Sequence, residues 1–527
     1  MADAPSHNLV AVLADRAAEH PRTPAFIAGR TRDAATTYAE LWERIGHAAA
    51  GLESRGIGHG DHVLLLQNVS IDLYVALSAA WRVGAVACLI DPGVGLRRFE
   101  SMARRLAPAA VIGPGPLLWL RWLSPTLRRA PVAASVDTLA RPSGTTGAPP
   151  AISPVGPDHP ALVTFTSGST GEPKCIARSH ALLAAQLAAL REGIALEPGE
   201  RDLLTLPAFA LANLACGLTT VIPNVSLRRV GRVDPRSVLA QAERVGVDRC
   251  TASPAFFEPL LAHTEATRGP LPFKKVYTGG APVFPRLLDR LARAMPPDAT
   301  ISAVYGSTEA EPIAELDRRD ITDTDAQAIR QGAGLPAGRP SPHVRLRIIA
   351  TPPTSEASLD PNAFDRLECD VDQPGEIVVA GDHVVPAYLD GIGDASIKLR
   401  VGSTVWHRTG DLGYLDRKGR LWLLGRREGA VCDERGESYA FGVEAIAMAD
   451  SDVARAAFVG LDGVRVLAVE PQPQATVDTL LARLRANPAL RIDHAIAVRR
   501  IPVDRRHNAK VDYPALRKAV RRTLRHA

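Results

Sequence analysis

Aromatic side chains are scarce in this chain, at 5% of 527 residues. Its hydrophobic cores must therefore be built mainly from alanine, leucine and valine. No apolar run reaches about 18 residues, so the sequence gives no support for stable insertion into a membrane. The first ten residues, MADAPSHNLV, lack the basic and then apolar pattern of a secretory signal. We therefore expect a cytoplasmic location.

Cysteine is also rare, and the six cysteines are scattered without any Cys-x-x-Cys pair. This spacing gives neither a cysteine-based metal site nor a disulfide framework. The cysteines are typical of reduced thiols in a cytosolic protein.

Charge of either sign is nearly balanced, with 62 lysines and arginines against 57 acidic residues, a net charge of +5. The arginine-rich stretch at residues 517–525 favours a solvated helix face over a nucleic-acid site, so we expect no nucleic-acid partner. The composition is that of an ordinary globular protein, with 46% hydrophobic and 23% charged residues. The length predicts at least two domains.

Strand and helix patterns alternate through the first 300 residues, which predicts parallel sheets with crossover helices. Near the start, Thr37 and Glu40 have the spacing of a capping box at a helix N-terminus. Predicted strands include 61–67, 84–90, 109–112, 202–206, 248–252, 275–277 and 301–304, with helices at 72–83 and 180–194. The proline-rich residues 113–158 are predicted to form an irregular connector.

From about residue 335 the pattern changes to short strands and turns without helices, including strands at 344–348, 376–380 and 421–425. Residues 351–373 between them are predicted to be a surface excursion. The polar segment 426–429 then opens a remainder of about 100 residues, long enough for a small domain. We therefore predict an α/β protein. Residues 1–426 form a large N-terminal domain of parallel-sheet α/β subdomains plus a β-rich subdomain, and residues 427–527 form a small α+β domain.

The stretch TFTSGSTGEPK at residues 164–174 follows an apolar run, 160–165, that reads as a buried strand. Its glycines let successive N–H groups converge on an anion, its hydroxyls add donors and Lys174 adds a charge. A Walker A loop is excluded because no Gly-Lys-Ser/Thr follows at the required spacing. A Ser/Gly/Thr run alone would be a flexible turn, but the Pro-Lys that follows makes the segment more specific. The sequence therefore indicates phosphate binding.

This stretch resembles TSGSTGxPK, the signature loop of the adenylate-forming enzymes: acyl-CoA synthetases, peptide-synthetase adenylation domains and luciferases. The resemblance implies a ligase that uses ATP and Mg²⁺ to activate a small-molecule carboxylic acid as acyl-AMP, with release of pyrophosphate. It also implies a small C-terminal domain that is mobile. The implied nucleotide-binding residues of the loop are Thr166, Ser167, Gly168, Ser169, Thr170 and Gly171, and Lys174 is implied to be catalytic.

A second motif, YGSTEAEP at residues 305–312, follows an apolar strand, where ligands bind in open α/β sheets. Tyr305 offers a stacking face and Glu309 an oxygen ligand for Mg²⁺. Alone, the segment could equally be a strand-to-loop turn. It resembles the family motif YGxTE, which implies adenine near Tyr305 with Gly306 and Ser307, the α-phosphate near a catalytic Thr308, and Mg²⁺ at Glu309.

A third motif, WHRTGD at residues 406–411, ends in a carboxylate that can accept both vicinal hydroxyls of a ribose. Alone, a Gly-Asp pair is usually a structural turn. The resemblance implies that Asp411 binds ribose and that Arg426 lies near the ribose and phosphate. It also puts Glu428 at the family's hinge, where aspartate or lysine is usual.

A fourth motif, IPVDRRHNAK at residues 501–510, ends in a lysine. A lysine near a C-terminus is normally a solvated charge. The resemblance implies that Lys510 is the catalytic lysine that bridges the carboxylate and the α-phosphate during adenylation. Ala509 stands where the family usually has glycine. The four motifs follow one another in the family's order over roughly residues 30–515.

The nucleophile that receives the acyl group is less clearly indicated. Thioester-forming members typically carry a lysine within GRxDxxxKxxG, which is absent from GRREGAVCDERG at residues 425–436. Several segments resemble the β-lactone synthetases of the long-chain olefin pathway: residues 89–95, 206–211, 305–312, 406–411 and 502–510. This resemblance implies a β-hydroxy acid whose own hydroxyl attacks the acyl-adenylate, and pathway enzymes as possible partners. Transfer to CoA or to an amine stays open, as do a nucleotide-binding protein without catalysis and a luciferase-type oxidase.

Two further sets of residues are candidates by type alone. An acyl pocket could be built from Phe209, Ala210, Phe256, Phe257 and residues 279–282, although apolar residues here could equally be core. His180, His383 and His407 could act as bases, and a structural role is the more common one for such histidines.

Overall fold

A computed structural model describes residues 6–28, 34–141, 148–166, 173–350, 358–503 and 510–524, with the side chains of Pro92, Thr166 and Arg228 not described. In chain order its strands are β1 Pro24–Ala28, β2 Ala34–Thr37, β3 His62–Leu65, β4 Val86–Leu89, β5 Ala110–Ile112, β6 Val132–Ala134, β7 Pro160–Thr166, β8 Lys174–Ser179, β9 Arg201–Leu204, β10 Thr219–Val221, β11 Arg249–Ala252, β12 Lys275–Gly279, β13 Thr300–Ser307, β14 Ala310–Asp317, β15 Leu335–Pro340, β16 Arg345–Ile349, β17 Ser358–Leu359, β18 Gly375–Ala380, β19 Lys398–Val401, β20 Thr404–Leu415, β21 Leu421–Arg426, β22 Val431–Asp433, β23 Gly436–Ser438, β24 Val453–Leu461, β25 Val464–Pro471 and β26 His494–Ala497.

The α-helices are α1 Ala11–Glu19, α2 Tyr38–Glu53, α3 Ile71–Arg82, α4 Leu96–Leu106, α5 Gly115–Leu118, α6 Leu120–Leu123, α7 Pro125–Arg129, α8 Val136–Ala140, α9 His180–Gly193, α10 Pro207–Cys216, α11 Pro235–Val245, α12 Pro254–Thr267, α13 Pro285–Ala294, α14 Asp323–Arg330, α15 Pro361–Asp365, α16 Asp394–Ile397, α17 Ala440–Met448, α18 Val477–Ala486 and α19 Tyr513–Leu524. Short 3₁₀ helices span Pro92–Val94, Leu227–Arg232, Arg318–Asp320, Arg427–Gly429 and Pro488–Leu490. In the described part of the chain, no helix combines the length and the apolar character needed to cross a membrane.

The first sheet has six strands in the order β6-β5-β3-β4-β7-β8. Its pairs are parallel except for β7 and β8, which are antiparallel. The strand pair β7–β8 flanks the signature stretch, with Thr166 opposite Lys174. Both ends of that stretch are therefore anchored in the sheet.

The second sheet runs through both halves of the large N-terminal region, in the order β2-β1-β10-β9-β11-β12-β13-β14-β15-β21-β20-β18-β16. Neighbouring strands are parallel from β1 to β13 and antiparallel from β13 to β16. The α/β part and the β-rich part therefore share one continuous sheet. The second motif lies at the junction, because β13 pairs with the parallel strand β12 on one side and the antiparallel strand β14 on the other.

Local signals explain several helix ends. The predicted capping box is confirmed: Thr37 Oγ1 accepts from the Glu40 N–H at 3.2 Å, and the Glu40 carboxylate accepts from the Thr37 N–H at 2.8 Å. At the end of α10, Gly217 adopts a left-handed φ of 79°, which favours glycine.

Two sequence predictions about irregular regions are wrong. The connector at 113–158 contains α5–α8 and strand β6, which pairs in parallel with β5. Leucines of α5 and α6 pack on the first sheet's core, and this packing orders helices too short to show a helical period. The β-rich region likewise contains the short helices α15 and α16.

The remainder of the chain forms a three-stranded sheet, β24-β25-β26, and a hairpin, β22–β23, with helices α17, α18 and α19. Two of its apolar clusters consist entirely of residues beyond 430. The α+β character predicted for this region is confirmed. It contacts the N-terminal region through the rings of Phe284 and Phe441 and through Arg286 Nη1, which donates to the Val453 carbonyl at 2.8 Å.

The buried Glu444 of α17 makes a testable contribution to pH-dependent stability. One of its carboxylate oxygens accepts from the Phe458 N–H at 2.9 Å, and burial raises its pKa to about 8. The folded protein therefore holds this proton up to about pH 8, whereas the unfolded chain releases it near 4.5. The free energy of unfolding should fall between these two pH values, by about 1.4 kcal/mol for each pKa unit.

In Glu444→Gln this fall should be reduced, so the variant should gain stability relative to wild type as the pH rises from 6 to 8. Denaturant unfolding followed at both pH values measures the difference, with the exposed Glu434→Gln as the control. Parallel pH profiles for wild type and Glu444→Gln would contradict the assignment.

Candidate active site

The site residues predicted on the second sheet come from neighbouring strands in its interior. Asp411 lies in β20 opposite Arg426 at the end of β21, and the second motif joins β13 to β14. Lys174 begins β8 of the first sheet. Of the signature stretch, Ser167, Gly168, Ser169, Thr170 and Gly171 lie outside the described residues, and only the backbone of Thr166 is described.

A tyrosine, a carboxylate and a guanidinium form the first cluster. The Tyr305 hydroxyl donates to Asp411 Oδ2 at 2.8 Å, and Arg426 Nε lies 3.0 Å from Asp411 Oδ1. Burial, with the Asp411 charge, raises the pKa of Tyr305 well above its usual value, and the same carboxylate raises that of Arg426. The Gly-Asp pair lies within a long strand rather than a turn, and the left-handed φ of 72° at Gly410 presents Asp411 beside Arg426. Such a carboxylate can exchange these donors for the hydroxyls of a sugar.

A second cluster surrounds Glu309. Its Oε1 accepts from the Tyr388 hydroxyl at 3.0 Å, and the Val385 N–H donates to its main-chain carbonyl at 2.8 Å. Lys174 Nζ lies 5.3 Å from the centroid of the Tyr388 ring, and Lys398 Nζ lies 5.6 Å from it. Two cations and one carboxylate thus meet around a single tyrosine, an arrangement suited to a polyanionic ligand.

Burial lowers the pKa values of the basic groups in and beside this cluster. Burial lowers the pKa of Lys174, partly offset by the charge of Glu309, and lowers the pKa of Lys398 to about 8. Lys398 donates to the Val385 carbonyl and lies 3.3 Å from His407 Nδ1. Burial, reinforced by the Lys398 charge, lowers the pKa of His407 far below its usual value. His407 is therefore neutral at physiological pH.

Arg178 ties the two sheets together at the site. The buried guanidinium donates to Thr164 Oγ1 at 3.3 Å and to the Thr308 carbonyl at 3.0 Å. The Leu389 N–H donates to the Cys175 carbonyl at 2.9 Å, a second link between β8 and the loop that carries Tyr388. The main chain at Thr308 is thereby fixed relative to the strand that leads into the signature stretch.

A small cavity of about 10 Å³ lies beside the second motif. Its lining residues are Leu206, Phe209, Thr251, Tyr277, Thr278, Gly279, Gly280, Val304 and Glu311. That volume holds about one water molecule, so an acyl chain would enter only with movement of the walls. Glycine is required at 279, since a Cβ there would lie 2.5 Å from the Val304 carbonyl oxygen.

Glu311 and Thr278 are two of the polar side chains that line this cavity. Burial raises the pKa of the Glu311 carboxyl to about 7, against the opposing charges of Arg178 and Lys510. Lys510, which lies three residues before the start of α19, is therefore near enough for its charge to act on Glu311. The other group is Thr278, whose buried Oγ1 has no hydrogen-bond partner among the described residues.

Which residues form the acyl pocket stays a prediction. Phe209, Gly279 and Gly280 line the cavity. Ala210, Phe256 and Phe257 are fully buried in the hydrophobic cores and are not among the lining residues.

Two of the three candidate histidines make structural contacts. His180 is buried, and its Nδ1 accepts from the Leu9 N–H at 3.1 Å, with burial lowering its pKa to about 4. His383 is buried, and its Nε2 lies 3.0 Å from the Pro312 carbonyl.

Four side chains at the site were not singled out from the sequence: Arg178, Glu311, Tyr388 and Lys398. Glu311 lies inside the second motif, two residues after Glu309. A charged residue among apolar neighbours was the signal in the sequence that could have marked it as a candidate. The other three lie outside the motifs, and no local pattern marks them.

The chain is similar to known proteins over most of its length. A family model described as AMP-binding enzyme matches residues 13–389. The olefin beta-lactone synthetase of Stenotrophomonas maltophilia (strain K279a) is 35% identical over 509 residues, covering 91% of this chain and 90% of that protein. The olefin beta-lactone synthetase of Xanthomonas campestris pv. campestris is 33% identical over 515 residues, again covering 91% and 90%.

The fold is shared with the amide bond synthetase McbA from Marinactinospora thermotolerans, at a TM-score of 0.78 and 23% identity, covering 98% of this chain and all of that one. The predicted fold class is therefore confirmed. With a family model that spans most of its length and relatives above 30% identity, this chain belongs to the AMP-binding enzyme family and is an ATP-dependent, adenylate-forming ligase.

Proposed function

We propose that this ligase converts a β-hydroxy carboxylic acid into a β-lactone, with release of AMP, by way of an acyl-adenylate. The observation that carries the proposal is the similarity to olefin beta-lactone synthetases over 91% of the chain. The carboxylate of Glu311 at the cavity supports it, because ring closure needs a group that takes the proton of the attacking hydroxyl. We propose that the protein acts in the cytoplasm, with pathway enzymes as possible partners.

The nucleotide is proposed to bind at the cluster of Tyr305, Asp411 and Arg426. Asp411 would accept the ribose hydroxyls, Tyr305 with Gly306 and Ser307 would contact adenine, and Arg426 would lie near the ribose and phosphate. The hydrogen bond from Tyr305 and the ion pair with Arg426 support this role for Asp411 by holding its carboxylate in place. Residues 166–171 would cradle the phosphates with their N–H groups and hydroxyls.

The donor set fits Mg²⁺. Among the described residues, no group of three or more histidine, cysteine or acidic side chains is placed to hold a metal ion. Mg²⁺ typically uses one or two carboxylates together with phosphate oxygens and water, so a single Glu309 is sufficient. When bound there, Mg²⁺ would neutralise phosphate charge.

The proposed chemistry has two steps. In the first, a substrate carboxylate oxygen forms a bond to the α-phosphorus while the bond to pyrophosphate breaks, with Lys174, Thr308 and Lys510 stabilising the charge on the α-phosphate of the transferred adenylyl group. In the second, the β-hydroxyl oxygen bonds to the acyl carbon, the bond from that carbon to AMP breaks, and the hydroxyl proton passes to Glu311. A carboxylate with a pKa of about 7 is well matched to accept a proton near neutral pH.

The two steps are proposed to use different positions of two domains, residues 1–426 and 427–527, with the hinge near Glu428. The apolar clusters that lie wholly beyond residue 430 support an independently packed C-terminal domain. In the arrangement described, Lys510 is close enough to Glu311 to affect its pKa, which suits the adenylation step.

Asp411→Asn tests the nucleotide site. Asparagine keeps the shape of the side chain but removes the charge that pairs with Arg426, and it can no longer accept both ribose hydroxyls equally. We expect the dissociation constant for ATP to rise roughly tenfold or more, as measured by calorimetry. Asp382→Asn, at an exposed position, serves as the control, and an unchanged dissociation constant for Asp411→Asn would count against the assignment.

A pair of matched acids tests the acceptor. A β-hydroxy acid should release AMP without CoA, whereas the same acid lacking only the β-hydroxyl should form adenylate and release little AMP. AMP release that depends on CoA for both acids would identify a thioester-forming ligase. Release that depends on an added amine would identify an amide-forming one.

A further inference from the structure

The helices that pack on the core of the first sheet carry an exposed apolar surface. Trp119 is 73% exposed, Trp122 69%, Leu123 64% and Leu96 54%. These side chains come from α5–α6 and from the first residue of α4. In a chain with only six tryptophans, two that lie within four residues are each about 70% exposed. Large exposed apolar groups that occur together mark interaction sites.

The four side chains share one surface. Glu100 of α4 accepts hydrogen bonds from Ser124 and from Thr126, the latter at 2.7 Å, which fixes α4 against the end of α6. Leu96 lies one turn before Glu100, and Leu123 directly precedes Ser124. On the other side of α5–α6, residues Leu117, Leu118 and Leu120 pack against the core of the first sheet. The short helices therefore have one buried and one exposed apolar face.

The charge around this surface is strongly positive. Residues 96–129 contain seven arginines and one glutamate, so this segment alone carries an excess of six positive charges in a chain whose net charge is +5. Arg97, Arg98, Arg128 and Arg129 are exposed. The single glutamate, Glu100, is already engaged by Ser124 and Thr126.

We propose that this tryptophan–arginine surface, formed by Leu96, Arg97, Arg98, Trp119, Trp122, Leu123, Arg128 and Arg129, docks the protein reversibly on an anionic lipid surface. Tryptophan favours the boundary between headgroups and acyl chains, and arginines attract anionic headgroups. A self-complementary contact with a second copy is disfavoured, because twofold symmetry would place the same arginines opposite one another. The contact is interfacial, since no described helix could span a bilayer.

The surface is connected to the candidate active site by α4. Near the far end of this helix, roughly 14 Å from Leu96, Arg105 donates to the Pro173 carbonyl at 2.6 Å and pairs with Asp390. Pro173 directly precedes Lys174, and Asp390 lies between the exposed residues Leu389 and Ile392. Helix α4 therefore links the exposed apolar surface to the strand that carries Lys174.

Sedimentation with vesicles tests the proposal on the full chain. Wild type should co-sediment with vesicles made of equal parts phosphatidylcholine and phosphatidylglycerol, and should bind phosphatidylcholine vesicles far more weakly. Added salt should release it. The double variant Trp119→Ser/Trp122→Ser and the double variant Arg97→Gln/Arg98→Gln should each lower the partition coefficient roughly tenfold.

Matched controls come from exposed positions elsewhere, Val477→Ser for apolar loss and Arg330→Gln for charge loss, and both should bind vesicles like wild type. Equal binding of wild type to both vesicle types, or undiminished binding of the tryptophan variant, overturns the proposal. The proposal is also overturned if wild type does not bind vesicles but self-associates in sedimentation velocity, and the tryptophan variant does not self-associate. The surface would then be a contact between proteins. AMP release from a short-chain acid without vesicles should stay unchanged in all variants, which separates docking from folding and catalysis.

Discussion

Replacement of Lys510 by alanine is expected to abolish acyl-adenylate formation while leaving ATP binding largely intact. The charge of Lys510 acts on Glu311, which lines the cavity beside the second motif, and we propose that it also neutralises charge that develops between the carboxylate and the α-phosphate. Removing a preorganised group that stabilises such charge typically costs about 10²- to 10³-fold in rate. Pyrophosphate exchange measures the adenylation step, and calorimetry measures ATP binding.

The matched control is Lys518→Ala, an exposed lysine on the same C-terminal helix region. It should exchange pyrophosphate at the wild-type rate. Adenylation at the wild-type rate in Lys510→Ala would show that this lysine is not the catalytic one. A loss of ATP binding in that variant would show that its role is in binding rather than in the chemical step.

The second large effect is expected for Glu311→Gln, which should separate the two half-reactions. Glutamine keeps the size of the side chain but cannot take the proton of the β-hydroxyl. Adenylate should still form, whereas lactone closure should slow by about 10²- to 10⁴-fold, the usual contribution of a general base. Because the base must be deprotonated, the wild-type closure rate should rise with pH through about 7, and the variant's profile should be flat.

Glu315→Gln is a close control for this variant. Burial also raises the pKa of Glu315 to about 7, but Glu315 does not line the cavity. It should therefore leave closure and its pH dependence unchanged. Equal slowing in both variants, or loss of adenylate formation in Glu311→Gln, would remove Glu311 from the proposed closure step.

The parts of the site that could be predicted from the sequence are those encoded in short continuous segments. The motifs at 164–174 and 305–312 each combine a strand with polar residues at its end, the motif at 406–411 lies within a strand, and all three patterns are local. The alternation of strands and helices is local too, and it gave the fold class. The continuity of the second sheet through β13 and β14 could not be foreseen, because pairing of distant strands leaves no mark within either one.

The residues that were missed are defined by contacts between distant segments. Tyr388 is 79 positions from Glu309, and Arg178 is 130 positions from Thr308, yet each pair forms a hydrogen bond. Phe256 and Phe257 looked like pocket residues from their composition but are buried in a core, since an apolar residue type does not reveal which side of a helix faces a cavity. The connector at 113–158 was misjudged for a related reason: its short helices are stabilised by packing on the first sheet.

The most direct test of the proposed function is the mass of the product formed from ATP, Mg²⁺ and a racemic long-chain β-hydroxy acid in the absence of CoA. Ring closure within the acyl-adenylate predicts a neutral product lighter than the acid by one water, formed together with AMP. An acid recovered unchanged, with AMP appearing only after CoA is added, would contradict lactone formation and identify an acyl-CoA ligase.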